Sequence, residues 1–185
     1  HLGVEQCHVV GLSFGSLIAM KLACNEPERI CDVILLAALL RNKTHHYVNW
    51  NTLWDSCVDD FDQFCRIGIG LLFSERFLHQ FENPYNWIKT LYEPLTAEHK
   101  RAFKMNLKSA LKFDINTHFP RMANPTLCVH GEQDVIHPLH ELSAYLDEIA
   151  RPVSLVALSD VGHGLHAEVP ADISREILDW LSEED

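Results

Sequence analysis

Apolar positions fall into short blocks along the chain. Cys7 to Val10 is a brief apolar run that meets Gly11, and the mostly apolar stretch from Phe14 to Cys24 carries Leu17, Ile18, Ala19, Met20 and Leu22 before it ends at Asn25-Glu26-Pro27. This order predicts a strand, a sharp turn and a buried helix. Val33 to Leu40 is continuously apolar, as is a strand covered on both faces of a parallel sheet. Thr126 to Val129, stopped by Gly131, and Val153 to Leu158 read as two more strands. Between them Leu139, Leu142, Leu146 and Ile149 recur at helical spacing, as do Ile173, Ile177, Leu178 and Leu181 after the last strand. Strand and helix alternate, which predicts a parallel α/β sheet.

The stretch 41–123 has a different pattern. Tyr47, Trp50, Trp54, Cys57, Val58, Phe61, Phe64 and Cys65 follow three-and-four spacing, which predicts one long amphipathic helix. Shorter helices are expected around Phe77–Phe81 and from Pro84 to Tyr92, and a longer one through Phe103, Leu107, Ala110 and Leu111. All aromatic residues except Phe14, Tyr145 and Trp180 lie in this stretch. An all-helical, aromatic-rich insertion between two sheet strands is expected to cover a site, with most of its rings forming a core of their own.

Charge narrows the partners. The 185 residues carry a formal net charge of −11, which disfavours a polyanion such as nucleic acid. No apolar run reaches the length of a spanning helix. Six scattered cysteines with no C-x-x-C pair read as free thiols, which points to a reducing, cytoplasmic setting.

The first candidate for chemistry is Gly11-Leu12-Ser13-Phe14-Gly15, a G-x-S-x-G sequence at a strand-to-helix junction. The glycines permit a tight turn that forces Ser13 into an unusual backbone conformation and exposes its hydroxyl. The same turn aims a helix N-terminus at that point, with the Phe14 N–H as the nearest oxyanion donor.

A serine hydroxyl needs a base, and the base needs a group to orient it. Loops after parallel strands converge on one sheet edge, and two of them carry candidates. His130-Gly131-Glu132-Gln133-Asp134 follows one strand, and Asp160-Val161-Gly162-His163-Gly164 follows the next. Ser13, Asp134 and His163 can therefore meet. Asp160 competes as the acid and His166 as the base, while Glu132 reads as a solvated loop charge. His137-x-x-His140 and His163-x-x-His166 lack both the H-E-x-x-H form and a third ligand, so no metal is expected. Neither a G-x-G-x-x-G sequence nor a P-loop occurs, so no nucleotide cofactor is expected.

These three motifs, with Pro138 after the acid and Glu168 and Pro170 after the base, resemble the α/β-hydrolase superfamily, in which nucleophile, acid and base come in this order. The resemblance covers 1–40 and about 124–185, which it implies to be hydrolase core; 41–123 is similar in position and character to a helical cap. It implies acylation of Ser13, proton transfer through His163 and orientation of the imidazole by Asp134. The expected reaction is cleavage of a carboxylic ester, thioester or lactone of a small, largely apolar substrate. An acyltransferase or peptidase on the same nucleophile, or a truncated remnant that only binds a ligand or partner, are the other readings.

Ser16 departs from the family pattern, in which a second glycine often follows the elbow. His1 to Gln6 reads as the tail of a helix before the elbow strand. The resemblance implies earlier strands and a second oxyanion donor, so the chain is expected to be part of a longer hydrolase, weakly active or inactive by itself. Its sheet edge would then invite pairing with another chain.

Overall fold

The computed structural model describes residues 3–40, 43–93, 95–149 and 151–182. Strand β1 (Cys7–Leu12) turns at Ser13 into α1 (Phe14–Asn25), and a 3-10 turn leads to β2 (Ile30–Leu36). Helices α2 (His45–Cys57), α3 (Phe61–Leu72), α4 (Glu75–Leu78), α5 (Pro84–Tyr92), α6 (Ala97–Lys112) and α7 (Ile115–His118) follow. The chain then returns to β3 (Thr126–Gly131), α8 (Leu139–Glu148), β4 (Ser154–Leu158), α9 (Leu165–Glu168) and α10 (Pro170–Ser182).

The four strands are parallel in the order β1-β2-β3-β4. Period-two alternation explains why the sheet is covered on both faces. Val33 and Leu35 of β2 pack with Cys128 of β3 against α1, α8 and part of the insertion. Ile34 and Leu36 pack with Leu127 and Val129 on the other face, against Val161, Leu165 and α10 residues Ile173 and Ile177. All residues of β3 are buried, as an interior strand requires, whereas β1 leaves Val10 exposed.

Three predicted elements differ. The strand expected over Val33–Leu40 begins earlier, at Ile30, and ends at Leu36. Ala37 then takes φ 46° and the chain leaves the sheet, although Ala37 to Leu40 stay buried. The long helix expected across Tyr47–Cys65 is two. Asp60 stands in extended backbone and its side chain accepts the Gln63 N–H, so a new helix starts there. Residues 3–6 are not helical, and His1 and Leu2, on which the expected helix tail also rests, lie outside the described residues.

Two clusters of aromatic residues form in the insertion. Phe73, Phe77, Phe81 and Trp87 form a ring cluster with centroids 4.6–5.4 Å apart, which is the insertion's own core. Trp54, Phe64, Tyr92 and Phe103 form another that faces the sheet's C-terminal edge. Among the described residues no helix is long and apolar enough to cross a membrane.

Candidate active site

Ser13 occupies the turn between β1 and α1 with φ 50° and ψ −115°, a sparsely populated region that costs on the order of 1–3 kcal/mol for a residue other than glycine. Its surroundings enforce the conformation. The Ser13 N–H donates to Leu36 O at 2.8 Å, which ties the turn to β2. Gly11 has no alternative: a Cβ there would lie 2.4 Å from Gly15 O. Gly15 is under no such pressure, since a Cβ would meet nothing within 4 Å.

Ser16 does more than leave space. It is fully buried, its Oγ donates to Ser13 O at 2.6 Å, and that same Oγ accepts the Leu39 N–H at 3.2 Å. The elbow and the loop after β2 are thereby joined through one hydroxyl. The Phe14 amide opens α1, where the first N–H groups have no partner within the helix.

Asp134 lies on the loop after β3 and is 2% exposed. Its Oδ1 accepts the N–H groups of Ile136 and His137, each at 2.9 Å, which leaves Oδ2 aimed at the loop after β4. Gly131 lets the two loops touch, because a Cβ there would stand 2.3 Å from Val161 O. Gln133 N–H donates to Val161 O at 2.9 Å across the same contact.

His163, 5% exposed, completes the connection. Its Nδ1 lies 2.7 Å from Asp134 Oδ2 and its Nε2 lies 2.8 Å from Ser13 Oγ. A carboxylate only accepts, so the proton sits on Nδ1, Nε2 is left as an acceptor, and the serine hydroxyl donates to it. Burial alone would raise the Asp134 pKa, but the charge and hydrogen bond of His163, helped by His130 and the His137 N–H, hold it below the ordinary carboxyl value.

The other sequence candidates lie elsewhere. Asp160, at φ 58°, accepts from Gln133 Nε2 at 3.0 Å. Glu132 and His166 are exposed. Among the described residues no three His, Cys, Asp or Glu side chains are grouped to hold a metal ion.

Two buried histidines lie behind Asp134: His137, which the sequence offered only as half of a metal-ligand pair, and His130, to which no motif gave a role. His130 Nε2 donates to His137 O at 2.7 Å and lies 3.3 Å from Asp134 Oδ2. Burial lowers the His130 pKa, and burial together with the neighbouring His130 pushes that of His137 down to about 3. Both are therefore neutral near pH 7, and the proton on His130 is fixed to Nε2 by the carbonyl it faces.

Above Ser13 and His163 opens a cavity of about 280 Å³. Trp50 and Trp54 of α2, Phe64 of α3, Phe103 and Leu107 of α6, and Ile136 of the acid loop are among the side chains that line it. One face of α6 from Lys100 to Ala110 borders it, a length of about 15 Å at the helical rise.

Comparisons with known proteins bear on the fold. Residues 1–64 match a family model described as the alpha/beta hydrolase fold. RutD of Pseudomonas savastanoi pv. phaseolicola, which bears the name of a carbamate hydrolase, is 24% identical over 98% of this chain and 70% of its own length. An uncharacterized carboxylesterase of Bacillus subtilis, nap, is 24% identical over the whole of this chain and 59% of its own. The crystal structure of MGS-M2, an alpha/beta hydrolase enzyme from a Medee basin deep-sea metagenome library, superposes with a TM-score of 0.84 at 22% identity, covering 98% of this chain and 67% of that one. The fold is that of the α/β hydrolases.

Proposed function

We propose that the chain is a serine hydrolase that cleaves a carboxylic ester, thioester or lactone of a small, largely apolar substrate through an acyl-enzyme on Ser13. One observation carries this reading: the unbroken hydrogen-bond chain from Asp134 through His163 to Ser13, ending at the floor of an apolar cavity.

The chemistry follows from the proton positions. Ser13 Oγ attacks the acyl carbon while His163 Nε2 takes its proton, and the imidazolium so formed is stabilised by Asp134. The developing oxyanion accepts from the Phe14 N–H at the positive end of α1. His163 returns the proton to the leaving group, and a second cycle with water releases the acid. The apolar walls favour an alkyl or aryl acyl group held with its carbonyl at Ser13. The names of the relatives, a carbamate hydrolase and a carboxylesterase, describe acyl transfer to water and support the same class.

The test is labelling with a fluorophosphonate probe together with hydrolysis of p-nitrophenyl esters. The expected result is a stoichiometric adduct and turnover, both abolished in Ser13→Ala. Labelling or hydrolysis that survives this substitution overturns the assignment. Product analysis with a competing alcohol separates hydrolysis from acyl transfer, since a transferase forms a new ester.

A further inference from the structure

His163 sits on an irregular loop between the end of β4 at Leu158 and the start of α9 at Leu165. Such a loop holds an imidazole in register only if its backbone is fixed from outside, and the fixing comes from the helical insertion. On one side of His163, the Gly164 N–H donates to Leu72 O at 2.5 Å. On the other, the Gly162 N–H donates to Glu168 Oε1 at 3.0 Å, and the same oxygen accepts the Ser74 N–H at 2.9 Å. Glu168 Oε2 accepts a short bond from Ser74 Oγ. Ser74 is 3% exposed, and its Oγ in turn accepts the Phe77 N–H at 3.2 Å, which caps α4.

The contact is tight enough to dictate sequence. A Cβ at Gly162 would stand 2.9 Å from Glu168 Oε1, Leu72 O and Ser74 N, and one at Gly164 would stand 2.5 Å from the Phe73 ring. Both neighbours of His163 are thus pressed against segment 72–74, and the Glu168 carboxylate bridges the two.

We propose that Glu168 is a positioning residue for His163, and that through Ser74 it makes the alignment of the imidazole depend on where the insertion sits. This rests on the serine-hydrolase reading above. Glu168 does not line the apolar cavity, so its influence falls on proton transfer and not on substrate binding. Without its carboxylate the buried Ser74 N–H and the Gly162 N–H lose their acceptor, and the loop must resettle to find another.

The test compares Glu168→Ala, Glu168→Gln and Ser74→Ala on p-nitrophenyl esters, with each rate expressed per site titrated by the fluorophosphonate. Glu168→Ala is expected to lower kcat per titrated site about tenfold to hundredfold, as displacement of a reacting group by an ångström does, with little change in KM. Glu168→Gln should recover most of the loss, because its amide oxygen can accept both N–H groups. Ser74→Ala added to Glu168→Ala should cost little more than Glu168→Ala alone. An unchanged kcat per site in Glu168→Ala, or a loss seen only in KM, overturns the proposal. A readout independent of turnover is the His163 Nδ1–H proton resonance, which should exchange faster with solvent in Glu168→Ala than in the parent. Equal exchange in the two also overturns it. Ser13→Ala separates the two readings: turnover that survives that substitution ends the serine-hydrolase assignment, while the resonance still judges Glu168.

Discussion

Asp134 Oδ2 stands 2.7 Å from His163 Nδ1, although 29 positions separate the two residues in the chain. Asn at position 134 would keep the shape of the carboxylate but could present an N–H where the imidazole also donates, and the proton would be driven to the other ring nitrogen. Asp134→Asn is therefore expected to lower kcat on a p-nitrophenyl ester by about ten-thousandfold, with KM little changed. Steady-state kinetics of the folded variant, compared with Ser13→Ala, checks this.

The buried histidines behind that carboxylate make stability depend on acid. Burial lowers the pKa of His130 and takes that of His137 to about 3, against an ordinary value near 6.5. Below about pH 6.5 the unfolded chain then binds protons that the folded one refuses, so stability falls as pH falls. Each such proton contributes a slope of about 1.4 kcal/mol per pH unit, which for His137 persists down to its folded value. Asp134 acts lower still: its depressed pKa adds stability that is lost as pH drops from the ordinary carboxyl value through the folded one. Urea unfolding between pH 7 and pH 4 should show the decline, and His137→Phe should flatten it by about one proton.

Gly131 is held against the base loop by backbone atoms that cannot rotate away. A methyl group there would sit 2.3 Å from Val161 O and 2.4 Å from Gly162 O. Gly131→Ala is expected to destabilise the fold by about 1–3 kcal/mol and to cut turnover by parting Asp134 from His163. Thermal unfolding and rate per titrated site measure the two effects separately.

Phe103 bounds the cavity and packs edge-on against Phe64 at 5.4 Å and Trp54 at 5.7 Å. Phe103→Ala should favour longer acyl chains over short ones by about tenfold or more, the range that a change of apolar pocket volume commands. The ratio of kcat/KM values for p-nitrophenyl octanoate and acetate reports it.

How far the sequence disclosed this arrangement depends on whether the deciding contact is local. Ser13, Asp134 and His163 were legible because a turn motif and two strand-end loops place them without knowledge of packing. The extent of β2 was not: Ala37 to Leu40 are as apolar and as buried as the strand before them, and hydrophobicity reports burial rather than extension. The break between α2 and α3 did leave a trace, since Asp60 is a good capping residue, but the apolar spacing ran across it. The hydrogen bonds of Ser16 to Leu39 and of Glu168 to Ser74 join distant parts of the chain, and no spacing rule announces them.

The insertion leaves the sheet after β2 and returns at β3, and these two strands pair directly from Val33↔Thr126 to Leu36↔Val129. A segment that departs from and rejoins neighbouring strands can be rewritten without disturbing their registry. On the serine-hydrolase reading, substitutions at the cavity-lining positions of α2, α3 and α6 would change which molecules are admitted without touching Ser13, Asp134 or His163. The freedom is bounded where the insertion touches the rest of the fold: at the carbonyl and serine of 72–74, which meet the loop that carries His163, at Trp50 Nε1, which donates to Val135 O beside Asp134, and at the side chains that share a core with β2 and β3.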